Sequence, residues 1–402
     1  MEEWKEYKAK DFCTSVTDGT HDSPKPKSFG HYLITSKHLK DNRIDYSTAN
    51  LISEEDYQKV IQRSAVEQYD ILFSMIGTIG NVVQVKLEQV DFAVKNMGIF
   101  KMGKEPLKSY WLYYWLKSDF SKEYINQRLA GSTQSYLTLD SLRNYPILYP
   151  GDHLANKIIS ILKSLDDKIE NNRKINENLE QQAQALFKSW FVDFEPFRDQ
   201  PFVESELGMI PEGWRVGNFT DLISIMPGGT PSTNVSEYWD NGNIPFFSPK
   251  DVNGVYCLKT EKSITQDGLN HCSSNLYPKD TIFVTARGTV GKIAMAGVPM
   301  AMNQSNYALV PKEDFNNFYI YLQAQNLVEI LLKKANGAVF SAITTKDFKE
   351  LVVIPDKVII YKFGIIVKPI FDKILLAMNE SHRLSLLRDT LLPKLMSGEI
   401  KL

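Results

Sequence analysis

The sequence DILFSMIGTIGN at residues 70–81 recurs as DTIFVTARGTVGK at residues 280–292. Each segment runs from an aspartate through a short apolar stretch into a turn with two glycines. Internal repeats show how a chain is organised, and further matches flank this one at a spacing of roughly 205–211 residues. Because the matches keep their order, the chain consists of two copies of one unit. They are Trp4 with Trp214, Gly19-Thr20 with Gly229-Thr230, Gly131, Ser135 and Thr138 with Gly337, Ser341 and Thr344, and Asp167-Lys168-Ile169 with Asp372-Lys373-Ile374.

The first part of each unit, about 145 residues long, mixes features of strands and helices. Short apolar runs bounded by turn residues predict strands at residues 82–87, 98–102, 282–285 and 293–295. Aromatic-rich helices are predicted at residues 110–128 and 319–334, with Gly131 and Gly337 just beyond their ends. The pattern predicts an α+β fold with two similar mixed α/β domains.

The second part of each unit is predicted to be one long helix. Its apolar residues recur at steps of three or four in a narrow stripe, which is typical of a coiled-coil seam. Asn172 and Ser381 interrupt the stripes with polar groups that are expected to fix the register. The stripes comprise Ile158, Ile161, Leu165, Ile169, Ile175, Leu179, Ala183, Leu186 and Trp190 in the first copy, and Phe363, Val367, Ile370, Ile374, Ala377, Leu384, Leu387, Leu391 and Leu395 in the second.

Two such seams in one chain can satisfy each other by packing antiparallel, which relates the units by a pseudo-two-fold axis. The predicted organisation is a first domain at residues 1–150, a central helix at 151–200, a second domain at 201–352 and a C-terminal helix at 353–402. A helix of about 37 residues is roughly 55 Å long, and readable faces of B-DNA recur about every 34–36 Å. Such helices could hold two unlike domains on two half-sites of one duplex.

Composition excludes several classes of protein. A hydrophobic content of 43% is normal for a globular chain. The charged N-terminus lacks the apolar core of a signal peptide, and charges interrupt the most apolar late stretch, residues 351–371, so no membrane span is predicted. Three cysteines without metal-ligand spacing are typical of a reducing compartment, so a cytoplasmic location is expected. The net charge of −2 does not by itself indicate nucleic acid.

The sequence lacks the common motifs of catalysis. It contains no (N/D/S)PP(Y/F) segment of an amino-methyltransferase, no GxGxxG unit and no HExxH helix, and the segment at residues 288–292 is too short for a Walker A loop. We therefore predict a protein that is not an enzyme, with no catalytic residues, no metal ligands and no cofactor.

Three longer segments carry a resemblance to a known family. LGMIPEGW at residues 207–214, LFKSWFVDFEP at 186–196 and LLPKLMSGEI at 391–400 resemble parts of the specificity subunits of Type I restriction–modification enzymes. They are similar, respectively, to the start of the second target-recognition domain, the end of the central conserved helix and the C-terminal signature. The two Gly-Thr-x-Gly turns fit the same pattern, and the resemblance spans nearly the whole chain in the right order.

The resemblance implies a non-catalytic subunit that reads a bipartite, asymmetric DNA sequence, with one half-site for each target-recognition domain. It implies as partners double-stranded DNA, two methyltransferase (modification) subunits and motor-nuclease (restriction) subunits. No contact with a membrane is expected.

Reading DNA requires side chains that present hydrogen-bond donors and acceptors to base edges, together with cations and hydroxyls for phosphates. In the first domain the candidates are Thr20, His21, Ser36, Lys37, Asn81, Lys95 and Asn96. In the second domain they are Thr230, Ser232, Ser248, Lys250, Arg287, Lys292, Asn303, Gln304 and Asn306.

Several of these features also have a purely structural interpretation. The glycines of the two turns can be simple turn formers, Arg287 an ordinary solvated residue and His21 a structural histidine. Trp4 and Trp214, at equivalent domain starts, are interpreted as core anchors rather than base-stacking platforms. The aromatic cluster at residues 110–115 has helical spacing and is interpreted as core.

Two other functions stay open. A recognition component of a Type II restriction–modification system would carry methyltransferase or nuclease motifs in the same chain. A bivalent coiled-coil adaptor that binds only proteins would account for the near-neutral charge.

Overall fold

A computed structural model describes residues 4–40, 42–130, 135–312, 315–334 and 342–402. Gly131, Gly337 and Ser341, which belong to the sequence repeat, lie outside the described residues. The chain divides into two compact units: the first comprises Met1–Asp167 and Leu384–Leu402, and the second comprises Lys168–Arg383.

The first unit contains a globular domain of strands and short helices. The strands are β1 (Lys5–Lys8), β2 (Ser15–Asp18), β3 (His31–Ile34), β4 (Leu39–Lys40), β5 (Arg43–Ile44), β6 (Asn50–Ile52), β7 (Ile71–Ser74), β8 (Val82–Gln84), β9 (Phe92–Val94), β10 (Met97–Lys101) and β11 (Pro146–Tyr149). The helices are α1 (Ala9–Phe12), α2 (Glu54–Ser64), α3 (Pro106–Leu116), α4 (Asp119–Asn126) and α5 (Leu139–Arg143). The sheets have the strand orders β2-β10-β7-β8, β6-β3-β9, β1-β11 and β4-β5.

Two long helices, α6 (Asp152–Phe191) and α9 (Lys357–Met396), have 40 residues each and pass through both units. Between them in sequence lies the domain of the second unit, with helices α7 (Gln266–Asn270) and α8 (Asn317–Lys334). Its strands are β12 (Phe202–Ser205), β13 (Gly208–Pro211), β14 (Arg215–Asn218), β15 (Ile223–Pro227), β16 (Ile244–Phe247), β17 (Tyr256–Cys257), β18 (Lys262–Ile264), β19 (Ile282–Thr285), β20 (Ile293–Ala296), β21 (Ala301–Met302), β22 (Asn306–Pro311) and β23 (Leu351–Ile354). The sheets have the orders β15-β22-β19-β20-β17, β18-β16-β21, β12-β13 and β14-β23.

The two domains repeat one topology. In the first, β10 pairs antiparallel with β2 and β7, and in the second, β22 pairs antiparallel with β15 and β19. A parallel pair accompanies each main sheet, β3 with β9 and β16 with β21. The predicted α+β fold and its duplication are therefore confirmed, and the second main sheet gains a fifth strand, β17.

One predicted helix is interrupted. The helix expected at residues 110–128 is two helices, α3 and α4, whereas the one expected at 319–334 is the single helix α8. The break lies at Ser118, whose extended backbone and hydroxyl cap the start of α4 by accepting from the amide of Ser121. A serine favours such a cap over a place inside a helix because its side chain competes for backbone groups.

The aromatic residues expected in the core lie there. Trp111, Tyr113, Tyr114 and Trp115 of α3 are buried. Trp4 packs edge-on against Trp111 at 5.9 Å, and Trp214 packs against Phe197 with ring centroids 4.9 Å apart. Both domain starts are thus anchored by a tryptophan.

Within the second unit, α6 and α9 pack antiparallel. The amide of Asn172 donates to Glu380 at 2.7 Å, and further along α6 the ring of Phe187 lies 6.3 Å from that of Phe363. The residue number on α9 falls as that on α6 rises, which is the mark of an antiparallel pair. Asn172 is buried, and a buried amide that must meet a particular acceptor on the other helix specifies register.

Within the first unit, the start of α6 and the end of α9 share one core with the globular domain. Ile158 and Leu162 of α6 are buried in the same cluster as Leu392 and Leu395 of α9. Arg388 binds Asp166 at 2.7 Å, and both side chains are largely buried.

The buried face of the long helices is wider than the predicted seam. Leu162, Phe187 and Phe371 lie outside the predicted stripes but are fully or almost fully buried. Phe187 contacts Tyr319, and Phe371 stacks on Phe318 at 4.6 Å, because each helix packs on its domain as well as on the other helix. Leu387 was wrongly placed in the stripe, since it is 47% exposed. The other residues of the predicted stripes are buried or half-buried. The buried ones are Ile158, Ala183, Phe363, Val367, Ile374, Ala377 and Leu395, and the half-buried ones are Ile161, Leu165, Ile169, Ile175, Leu179, Leu186, Trp190, Ile370, Leu384 and Leu391.

Helix α9 continues through Pro369, which is exposed and has no amide to donate to the carbonyl of Ile365 one turn earlier. Over the described part of the chain, no helix combines the length and apolar character needed to cross a membrane.

Leu162→Ala is expected to lower the free energy of unfolding by about 2–5 kcal/mol, because it removes a fully buried side chain from the core of the first unit. Leu376→Ala is the matched control, since Leu376 of α9 is 70% exposed, and it should change stability by less than about 0.5 kcal/mol. Urea denaturation followed by circular dichroism measures both. Equal losses in the two variants would contradict the packing described.

Candidate nucleic-acid interface

Four loops of the first domain meet at one edge of its sheets. Because β3 and β9 are parallel, both end at this edge, where the amide of Lys95 donates to the carbonyl of Ile34 at 2.9 Å. The loop after β2 joins them, since the amide of Thr20 donates to the carbonyl of Val94 at 3.0 Å. The amide of Asn96 in turn donates a hydrogen bond to the carbonyl of Thr20 at 3.1 Å.

The other two loops of the first domain are tied to the same place. Ser36 and Lys37 lie in a 3-10 turn directly after β3. The side chain of Asn81, at the end of the glycine turn, donates to the carbonyl of Leu39 at 2.9 Å. All seven candidates of the first domain therefore lie in one connected group of loops.

The second domain builds the same edge, and its bonds from Asn303 and Gly229 are equivalent to those from Lys95 and Thr20 in the first domain. The amide of Asn303 donates to the carbonyl of Phe247, the last residue of β16, at 2.9 Å. Gly229 donates to the carbonyl of Met302 at 3.1 Å, and Arg287 donates to that of Ser305 at 3.2 Å. Ser248 and Lys250 lie in or beside the 3-10 turn that follows β16. The nine candidates of the second domain thus also form one group.

Buried hydroxyls that the sequence analysis missed hold the glycine turns. Ser74 ends β7 and accepts from the amide of Asn81 at 2.7 Å, and Thr285 ends β19 and accepts from the amide of Lys292 at 2.9 Å. Each hydroxyl precedes the first glycine of its turn by three residues. That shared spacing in the repeat is the signal that could have identified them.

Several candidate side chains form hydrogen bonds with other residues of this chain. The imidazole of His21 lies between Asp18 at 2.9 Å and Asn96 at 2.8 Å. Asn306 is buried and donates to Asn303 at 2.6 Å. Other candidates with internal partners are Asn81 with Leu39, Lys95 with Ser23, Thr230 with Gln304, and Ser248 with Asp251.

The cationic side chains of the two loop groups have fewer partners inside the protein. Lys37, Arg287 and Lys292 are exposed, and their side chains form no hydrogen bond or ion pair with any described residue. Lys250 lies 3.8 Å from Glu261, and both side chains are exposed, so this pair contributes little. Exposed ammonium and guanidinium groups beside hydroxyls and amides are the chemistry that contacts phosphates and base edges.

A buried ion pair supports the strand that leads into the first glycine turn. Asp70 accepts from Lys101 at 2.6 Å and from the amide of Met102 at 3.0 Å. Burial raises the pKa of Asp70 above its ordinary value, although the bond with Lys101 acts in the opposite direction. This aspartate is therefore a structural group. Across the described residues, no cluster of three or more His, Cys, Asp or Glu side chains could hold a metal ion.

Comparison with known proteins gives consistent matches. The family described as "Type I restriction modification DNA specificity domain" matches residues 1–181 and 211–357. The chain is 32% identical to the Type I restriction enzyme MjaIX specificity subunit of Methanocaldococcus jannaschii, over 74% of this chain and 70% of that protein. It is 27% identical to the HindI specificity subunit of Haemophilus influenzae over the whole length of both chains.

Among solved structures, the S subunit of the Type I restriction–modification system from M. genitalium has a similar fold. The TM-score is 0.53, the identity is 16%, and the match covers 98% of this chain and 96% of that one.

Asn306→Ala is expected to destabilise the second domain by about 1 kcal/mol, because it removes the hydrogen bonds that the buried side-chain amide donates to Asn303 and to the carbonyl of Phe247. Gln304→Ala, two residues away and exposed, is the control and should change stability by less than about 0.5 kcal/mol. Thermal unfolding monitored by calorimetry compares them. If the two variants were equally stable, Asn306 would not be part of the loop framework.

Proposed function

The chain belongs to the family of Type I restriction–modification DNA specificity proteins, and from this premise we propose that its two domains read the two unlike halves of one DNA sequence. One observation carries the proposal. Both domains hold four loops at the same edge, where two of the backbone bonds are equivalent, while the side chains on those loops differ between the domains. A common framework with different side chains suits two readers of different sequences.

The loops provide contacts of both kinds that DNA recognition needs. Lys37, Lys250 and Lys292 offer cations for phosphates, and Thr20, Ser36, Ser232 and Asn303 offer groups that can contact phosphates or base edges. Side chains with internal partners, such as Asn81 and Asn306, position these loops. Because the net charge is −2, we expect the chain alone to bind DNA weakly and the assembled complex to bind it tightly.

The long helices are proposed to fix the spacing of the half-sites. Each has 40 residues, about 60 Å of helix at 1.5 Å per residue. The hydrogen bond from the buried amide of Asn172 to Glu380 specifies one register of the two helices, which favours one spacer length.

We further propose that catalysis belongs to partner subunits, namely two methyltransferase subunits and, for cleavage, motor-nuclease subunits. The sequence carries no methyltransferase motif, and the family that it matches is described as a DNA specificity domain. The family match does not favour a Type II enzyme with recognition and catalysis in one chain, nor an adaptor that binds only proteins.

One face of α9 is suited to a methyltransferase subunit. Val358, Tyr361 and Ile365 are between 56% and 69% exposed and follow one another at helical spacing, and Leu376, which is 70% exposed, lies on the same face about three turns further along. They lie on the face away from the buried residues Phe363, Val367 and Phe371. Exposed apolar stripes of this kind mark protein–protein contacts.

Sequencing of modified bases in cells that carry this chain and its methyltransferase is expected to show methylation at one split sequence. Its two halves should differ and should be separated by a spacer of constant length. Deletion of this chain's gene, with the methyltransferase retained, is the control and should abolish that methylation. An unchanged pattern of methylation after deletion would remove the proposal that this chain reads DNA.

Leu376→Glu is expected to weaken binding of the methyltransferase subunit by about tenfold or more, because a charge replaces an apolar contact. Leu207→Glu, on the exposed β12–β13 hairpin of the same unit, is the matched control and should bind normally. Sedimentation of the mixed subunits measures both. Equal binding by the two variants, or loss of self-association of this chain instead, would show that the face of α9 does not contact the methyltransferase.

A further inference from the structure

The structures of the two glycine turns differ at one position in a way that bears on sequence specificity. We propose that Arg287 reads a guanine in the half-site of the second domain, and that Thr285 is the residue that positions it. This inference rests on the proposed function and adds the identity of a base and of the group that selects it.

The turn that carries Arg287 is held by four bonds to one residue. The hydroxyl of Thr285 accepts from the amide of Lys292 at 2.9 Å and donates to the carbonyl of Thr289. The backbone of Thr285 also donates to Lys292 at 2.9 Å and accepts from Gly291 at 2.9 Å. Thr285 is fully buried, so water does not compete for these bonds.

The first domain has the same arrangement around Ser74. Its hydroxyl accepts from Asn81 at 2.7 Å and donates to Thr78 at 2.5 Å, and its backbone bonds Asn81 and Gly80 at 2.9 and 3.1 Å. These bonds define which positions are equivalent. Ile76 lies two residues after Ser74, and Arg287 lies two residues after Thr285, so these two positions correspond.

Arg287 is displayed from a fixed backbone. Its own amide and that of Ala286 both donate to the carbonyl of Ser305, at 3.2 and 2.8 Å, and the carbonyl of Ala286 accepts from Ile343 at 2.9 Å. The side chain is exposed and has no partner among the described residues. The turn therefore fixes the point from which the side chain leaves the backbone, while its donors are available.

The surface beside Arg287 allows close approach. Gly288 follows it with a φ of +79°, and a Cβ placed there would meet no described atom within 4 Å. A guanidinium on such a surface can donate two bonds to O6 and N7 of guanine, the commonest specific contact in the major groove. Ile76 has no donor, so the first domain cannot make this contact at the equivalent position. The two domains should therefore differ in the base that this position of the glycine turn selects.

The test uses the full chain assembled with its methyltransferase, and follows the methylated sequences selected from a library of randomised duplexes. Arg287→Ala should accept any base pair at one former G·C position of one half-site, with discrimination falling roughly tenfold to hundredfold. Thr285→Val should relax the same position, and Thr285→Ser, which keeps the hydroxyl, should retain the wild-type sequence. Arg198→Ala, which removes an exposed arginine paired with Glu195 in the same unit, is the matched control and should not alter the sequence.

Three results would overturn the inference. Arg287→Ala could weaken methylation of all sequences equally, which would mark a phosphate contact. The relaxed position could be other than G·C. Thr285→Val could lower thermal stability while leaving the sequence unchanged, which would make the hydroxyl merely structural. If wild-type complex selected no split sequence at all, the proposed function would fail instead, so the two failures are distinguishable.

Discussion

The termination of two parallel strands at one sheet edge is the constraint on which the rest of each domain depends. The amide after the second strand donates to the last carbonyl of the first, from Lys95 to Ile34 in one domain and from Asn303 to Phe247 in the other. These bonds use backbone groups, so they persist while side chains change. They collect loops that are far apart in sequence, and the collected loops are what a recognition surface can be built from.

The long helices show how a polar group can serve organisation rather than stability. Asn172 is buried on α6, and burial of an amide has a free-energy cost unless its hydrogen bonds are made. Glu380 and the carbonyl of Ala377 accept from it, at 2.7 and 3.4 Å, in one register of the pair. A shift by one helical turn would bury the amide without these partners. The apolar residues further along the two helices, such as Phe187 and Phe363, supply the stabilisation but tolerate more than one alignment.

Much of the fold could be predicted because the sequence contains two copies of one unit. The paired anchors around Gly77 and Gly288 predicted two equivalent domains, and the apolar stripes predicted two long helices. The width of the helix face was not predictable in this way, since Leu162 and Phe371 are buried by contacts with the globular domains as well as by the other helix. The break at Ser118 depended on a cap that outweighs a run of aromatic residues with helical spacing.

For the site, residue type identified the loops but not the role of each side chain. Asn81, Asn306 and His21 have the donors and acceptors of base readers, yet the structure gives them internal partners. Which polar groups are satisfied internally depends on distances between loops that are remote in sequence. The buried hydroxyls of Ser74 and Thr285 escaped notice because serine and threonine are common and only their hydrogen bonds distinguish them.

Hydrogen–deuterium exchange of the assembled complex, with and without a duplex that carries its target, tests the central claim most directly. The account predicts slower exchange on DNA binding in all four loops of both domains, around residues 19–22, 35–40, 76–81 and 95–97 and around residues 228–232, 247–251, 286–292 and 303–306. Protection confined to α6 and α9, or to loops of one domain alone, would contradict it.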